Sequence, residues 1–303
     1  MDTITLHPML NDTLSPATDL VLGVYISGYH ITALVVNLAD GSVVRPSARR
    51  ESINSWGTAD EIIDACSTVI GDVLQANPGI TRIGIAMPGP FDYEQGIAYI
   101  KNNKKHGALY GLNVKQLLAD KLGIATTDIR MINDAAAFLE GEVFAGVAKG
   151  HQRVIGLILG TGLGSAKLAN GVAEDAELWE SPFLDGIAED YLSERWFQKR
   201  YYALSRINVV DVKELAKFYK KSNTVKNVFK EFANNLALFT ANFVRANDPE
   251  MIVLSGDTAV KASDYFLPAF KTQLAKLDIE IPVSVSELNS DAVLIGAATC
   301  WLK

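Results

Sequence analysis

The residues best suited to chemistry lie between Met131 and Ser165. A short apolar run delivers Asn133 and Asp134 to the start of a helical segment that opens Ala135-Ala136-Ala137. A carboxylate at a strand end is suited to take a proton from a hydroxyl. The same place suits a helix N-cap, a role Asp favours, so position alone leaves both roles open. A second motif, Gly160-Thr161-Gly162-Leu163-Gly164, follows the apolar run Val154 to Leu159. Glycines let backbone N–H groups approach phosphate without Cβ clashes. Ordinary hairpins also close this way. The turn is not the Gly-x-Gly-x-x-Gly of a dinucleotide site, because its third glycine comes one residue early. A proton acceptor and a phosphate-sized turn in one stretch point to phosphoryl transfer.

These motifs need elements to hold them. Leu20 to Ile26 and Ile31 to Asn37 are apolar runs joined by Ser27-Gly28-Tyr29-His30. Val43 begins a third strand after Asp40-Gly41, which predicts an antiparallel meander. Ala59 to Leu74 has helical spacing, with Ile62, Ile63, Cys66, Val69, Ile70 and Val73 on one face. Ile83 to Ala86 is a buried strand stopped by Met87-Pro88-Gly89-Pro90. Asn113 opens a helix over Val114 to Leu122, Gly123 closes it, and Ile129 to Ile132 is the next strand. A meander followed by strand–helix alternation predicts a mixed sheet with helices on its faces. Strand, glycine turn, strand and turn recur over 154–172, which predicts a duplicated unit. Spacing further predicts one helix over Asp185 to Tyr202, others over 210–219, 225–245, 264–276 and 291–301, and strands over 251–254 and 282–286. The aromatic stripe Phe229, Phe232, Phe239 and Phe243 reads as packing rather than a groove.

Composition narrows the class. A chain of 303 residues, 49% hydrophobic and 21% charged, has the make-up of a soluble protein and room for two domains. A net charge of −7 argues against a nucleic-acid surface. No apolar run is long enough to cross a membrane, and Met1 to Asp19 lacks the pattern of a signal peptide. That lead-in has no assigned role. Two cysteines, Cys66 and Cys300, give no disulfide framework and fit a reducing cytoplasm.

Five segments occur in one order: Ile83 to Asp92 with its Pro88-Gly89-Pro90, Asn133 to Ala137 followed by Gly141-Glu142, Leu159 to Gly164, Asp248 to Gly256, and Ala292 to Ala298. In that order and spacing they resemble the ROK family of sugar kinases and their relatives, within the actin-like, hexokinase-like ATPase superfamily. The resemblance implies an α/β fold of two ribonuclease-H-like domains around an interdomain cleft. One would hold 1–134 plus 290–303, the other 135–289. It implies ATP and Mg²⁺, a hexose or amino-hexose as substrate, and a homodimer. Asp134 would be the base, and Gly160, Thr161, Gly162 and Gly164 would cradle phosphates. Ser255 and Gly256 would sit in the adenosine loop. Asn102, Asn103 and Asn133 are candidate sugar contacts. So is Glu189, in Gly186-Ile187-Ala188-Glu189, although a helix-start charge is its plain alternative. Glu177 and Glu180 fall near a further sugar-binding segment of the family.

The chain also departs from the family pattern. The zinc segment is absent, with Ile187 in place of one of its cysteines, so no zinc is expected. The first phosphate loop reads Gly23-Val24-Tyr25-Ile26-Ser27-Gly28-Tyr29, with Tyr25 where the family has an Asp that helps hold Mg²⁺ through water. A tyrosine brings no negative charge at neutral pH. Asp257 replaces a glycine, and its charge opposes phosphate. The helix-turn-helix of the family's repressors is missing, so no nucleic-acid partner is expected. The leading expectation is an ATP-dependent sugar kinase. The alternative is a non-catalytic sugar- or nucleotide-binding homologue acting as a sensor or partner protein.

Overall fold

The computed structural model describes residues 19–101 and 104–303, so Asn102, Asn103 and the first eighteen residues lie outside the description. Strands β1 (Leu20–Ile26), β2 (His30–Asn37) and β3 (Val43–Ser52) form the expected meander. Helix α1 (Ala59–Ala76) starts at a capping box in which the Thr58 side chain accepts from Glu61 N and Glu61 accepts from Thr58 N. Next come β4 (Ile83–Met87), the small hairpin β5 (Phe91–Asp92) and β6 (Ile97–Ala98), α2 (Val114–Leu122) and β7 (Ile129–Asn133). The first sheet has the order β3-β2-β1-β4-β7, with β1, β4 and β7 parallel.

Helix α3 (Asp134–Ala145) leads into a second copy of this plan. Strands β8 (Val154–Leu159), β9 (Leu163–Ala169) and β10 (Val172–Asp175) form its meander. A two-stranded hairpin follows, β11 (Pro182–Phe183) with β12 (Gly186–Ile187), then α4 (Ala188–Leu192), α5 (Glu194–Ser205), α6 (Val212–Ala216) and α7 (Asn223–Asn247). Strand β13 (Met251–Ser255), α8 (Gly256–Lys276), β14 (Val283–Val285) and α9 (Asp291–Thr299) complete the chain. The second sheet runs β10-β9-β8-β13-β14, the same order of three antiparallel and two added parallel strands. The duplication read from the sequence is therefore present at the level of topology.

Two sequence expectations need correcting. The helix expected over Asp185 to Tyr202 is two helices, because Ser193 is extended at φ −106°, ψ 164°. The break frees Glu194 N to donate to Gly160 O at 2.7 Å, so a tertiary bond to the glycine turn overrides local periodicity. Helix α8 begins at Gly256, well before Asp264, because its first turns are short on large apolar residues.

Helices α1 and α2 cover one face of the first sheet, packing Ile62, Ile70 and Leu118 on Leu22, Val24 and Ile85. In the second unit Phe197, Phe229, Phe232 and Phe266 form an aromatic core beneath β8 and β13, so the aromatic stripe of α7 is packing. Helices α3 and α9 lie between the two sheets, where a core of Ala135, Ala136, Ala137, Ala292 and Ala297 joins residues of both. Their backbones touch: a Cβ on Gly296 would clash with Ala137 O, and one on Gly141 with Ala292 O. Only glycine permits this crossing.

Candidate active site

Strand β7 ends and α3 begins between Asn133 and Asp134. Asn133 is the N-cap, its Oδ1 accepting from Ala135 N at 2.7 Å and Ala136 N at 3.1 Å. The capping role that position alone offered to Asp134 is thus filled by its neighbour. Asn133 also ties the two halves together. Its Nδ2 donates to Tyr93 Oη at 3.2 Å, on the side of the first sheet, and to Asp175 Oδ2 at 2.9 Å, at the end of β10. Tyr93 in turn donates to Met87 O at 3.0 Å.

Asp134 is half-buried, and the Tyr25 hydroxyl donates to its Oδ2 at 3.3 Å. Burial pushes the Asp134 carboxyl up to about 6, and the negative charge of Asp175 adds to the rise. The Tyr25 hydrogen bond opposes it, followed by the backbone N–H groups of Ala135 and Asp134. Asp175 is itself raised by burial, against bonds from Glu177 N and Asn133. Tyr25 keeps its proton, because burial and the Asp134 charge push the phenol well above its ordinary range. The result is a carboxylate with a raised proton affinity at the junction of the two units, beside an N-cap filled by Asn133.

The glycine turn sits at the corresponding place in the second unit. Gly160 N donates to Gly162 O at 3.0 Å, and the start of α5 fixes the other side of the turn. A Cβ on Gly160 would meet nothing nearer than Gly162 O at 3.9 Å, so the fold itself leaves that space empty. Gly162 has no such room, since a Cβ would come 2.5 Å from Glu189 Oε2. Glu189 lies on this turn: Oε2 accepts from Leu163 N at 3.1 Å and Oε1 pairs with Arg195. Ser255 lies beside Ile158 across β8 and β13, and Gly256 takes φ +84°, where a Cβ would meet Leu159 O at 2.5 Å. That contact sets the start of α8 against the turn. The Asp257 charge is countered by Lys261 Nζ at 2.7 Å, one helical turn on.

The first loop, Ser27 to His30, is closed by its own contacts. His106 Nε2 lies 2.9 Å from Ser27 O, and Ser55 Oγ donates to Gly28 O at 2.8 Å. Lys105 crosses Gly28 and places Nζ 3.3 Å from the Tyr29 ring centroid. The Tyr29 hydroxyl is lowered mainly by Lys105 and in small part by Arg195 from α5, so charges of both units reach this loop. Lys104 Nζ lies 5.8 Å from the Trp179 ring centroid of the second unit.

Residues 21–175 and 185–303 match the model of the ROK family. The chain belongs to the ROK family. It is similar to N-acetyl-D-glucosamine kinase of Mannheimia succiniciproducens, 26% identical over 73% of this chain and 80% of that protein. It is also similar to glucokinase of Thermotoga maritima, 23% identical over 92% of this chain and 96% of that one. A solved ROK family glucokinase from Streptomyces griseus, in complex with glucose and AMPPNP, superposes with a TM-score of 0.74. It shares 21% identity and is covered to 98%, against 93% of this chain.

In this ROK chain the structure brings Tyr25, Tyr93, Asn133, Asp134 and Asp175 into one bonded group. It brings Gly160, Gly162, Gly164, Glu189, Ser255 and Gly256 into another, with Thr161 exposed at the tip of the turn. Asn102 and Asn103 lie outside the described residues. Sequence reasoning missed Asp175 and Tyr93. Asp175 had one signal available, as the acidic end of the strand that closes the second meander. Tyr93 had none, since its place follows from the fold of the β5–β6 hairpin.

Proposed function

We propose that the chain is an ATP-dependent sugar kinase that phosphorylates a hydroxyl of a hexose or N-acetylated amino-hexose. The observation that carries this reading is the division of labour at the start of α3. Asn133 caps the helix, and the Asp134 carboxylate is left to accept a proton. In the reaction the sugar hydroxyl gives its proton to Asp134 as its oxygen bonds to the γ-phosphorus. The bond from that phosphorus to the bridging oxygen breaks, and ADP leaves with the electron pair. Gly160 to Gly164 would offer backbone N–H groups to the phosphates, and the start of α8 would bound the nucleotide beside Ser255 and Gly256. The names borne by relatives, glucokinase and N-acetyl-D-glucosamine kinase, support this substrate class.

In this reading the units 1–134 plus 290–303 and 135–289 are the two domains, hinged at the α3–α9 crossing. Among the described residues no group of three or more His, Cys, Asp or Glu side chains could hold a metal ion. In this reading Mg²⁺ would enter on the phosphates of ATP. Glu189 remains a proposed sugar ligand, with the sugar competing against Arg195 for Oε1.

The second reading, binding without turnover, is favoured by Tyr25 in place of the first-loop acid. A coupled ADP-release assay across hexoses and N-acetylated amino-hexoses, with Mg²⁺ATP, separates the two. Sugar-dependent turnover that falls at least about a hundredfold in Asp134→Ala supports the kinase, since a general base contributes roughly 10²–10⁴. A sugar that raises Tm without ADP release supports the binding protein.

A further inference from the structure

We infer that Tyr25 is the positioning residue of the base: its hydroxyl pins Asp134 Oδ2 and holds the carboxylate in its working orientation. The inference rests on the kinase reading and deepens it. Tyr25 is the penultimate residue of β1, in register with Thr32 on β2 and Ala86 on β4, so its backbone is fixed from both sides. Its side chain packs into the small-residue core between the sheets. The hydroxyl at the end of that packed ring donates to Asp134 at 3.3 Å. The phenol does not ionise in any working range, so it acts as a permanent donor.

The groups facing Asp134 explain why a donor is needed here. Asp175 approaches from β10 and opposes its charge. Tyr93, in the turn between β5 and β6, senses the same charge, and Glu177 lies beside Asp175. Arg50 on β3 acts on Tyr25. Among the described residues no Lys or Arg forms an ion pair with Asp134. An acid in place of Tyr25 would add another negative charge to this group and would need a cation to hold it. The phenol removes that need. The departure in the first loop is then a replacement part for the base, not the scar of a lost one.

The test follows Asp134 itself by ¹³C NMR of aspartate carboxyls in the full chain, assigned with Asp134→Asn, alongside the pH profile of kcat/KM. In Tyr25→Phe the Asp134 midpoint rises by about one unit, the size of a lost hydrogen bond to a charged group. The acid limb of kcat/KM moves with it, kcat falls about tenfold, and the sugar KM stays put. In Tyr25→Asp the midpoint rises further and turnover drops below that of the native chain. Site-specific 3-fluorotyrosine in place of Tyr25 keeps the shape, donates more strongly and moves the midpoint down, so the test survives if Tyr25→Phe does not fold. An unmoved midpoint in folded Tyr25→Phe or in the fluorotyrosine protein overturns the inference. So does a Tyr25→Asp variant that outperforms the native chain. If the midpoint moves as stated but no sugar is phosphorylated, the kinase reading fails while the Tyr25–Asp134 bond stands.

Discussion

Asp134→Asn is expected to stabilise the protein above pH 6 while abolishing turnover. The Asp134 carboxyl is lifted to about 6 in the fold from an ordinary 3.8, chiefly by burial. The folded state therefore binds the proton more tightly than the unfolded chain. Between pH 4 and pH 6 folding becomes progressively less favourable as the carboxyl ionises, and above that the full cost is present. A shift of about two units is worth roughly 3 kcal/mol, and solvent screening of the half-buried side chain reduces this to about 1–3 kcal/mol. Asparagine keeps an acceptor for the Tyr25 hydroxyl but carries no charge, so it escapes the penalty. With about 2.1 cal/mol/K of unfolding entropy per residue, the gain for a chain of this size is about 2–5 °C in Tm. Thermal unfolding followed by circular dichroism at half-unit steps from pH 4.5 to 8 reads it directly. The stabilisation should be full at pH 7.5 and fade toward pH 4.5. A variant that is less stable at pH 7.5, or displaced equally at every pH, would falsify the picture of a desolvated carboxylate held ready for a proton.

Gly160→Ala should leave Tm within about 1 °C, since nothing stands nearer than 3.9 Å to the added methyl. It should nevertheless weaken nucleotide binding by about tenfold or more in calorimetry, because in the proposed reading that space takes a phosphate. Asn133→Ala removes two cap bonds and the donor to Asp175. It should cost about 1–2 kcal/mol in urea unfolding and raise the Asp175 carboxyl further, as carboxyl NMR can follow. Gly296→Ala drives a methyl into Ala137 O at the α3–α9 crossing, and a loss of about 3 kcal/mol or failure to accumulate as folded protein is expected. A Gly296→Ala protein with native Tm would show that the helices part there at little cost.

Much of the fold was legible because period and punctuation agreed along the first unit. Asn113 and Gly123 bracket α2 as read, the former capping Gln116 N at 2.9 Å and the latter adopting φ +67°. The repeated plan of strand, glycine turn and strand predicted the shared sheet order. What failed was decided by contacts far apart in sequence. Nothing local at Ser193 announces that Glu194 N will reach back to Gly160 O. For the site, Asp134 was legible as a carboxylate at a strand end, but its freedom depended on which of two adjacent residues took the cap. Both Asn and Asp favour that place, and the sequence offers no way to choose. Asp175 was hidden for a similar reason. Its importance comes from the approach of β10 to β7 across the two sheets, which no local pattern carries.

The departures from the family pattern have a common physical logic once their partners are named. Two of them change the charge, at Tyr25 and at Asp257, and each of these side chains has a partner. Asp257 adds a charge at the start of α8, and Lys261 neutralises it one turn later. Tyr25 removes a charge from the first loop and turns the freed position into a hydrogen-bond donor for Asp134. Lys105 lays a cation across Gly28 and Tyr29 on that same loop. A site that had merely lost its function would be under no pressure to pair these changes. Unpaired buried charge is costly, and a chain freed of catalysis would relieve it most simply by losing Asp134. Instead the chain carries Asp134, whose carboxyl burial pushes up to about 6, with the Tyr25 hydroxyl bonded to it. Retention of a destabilising group with a dedicated donor is what a working base requires, and it weighs the balance toward catalysis over binding alone.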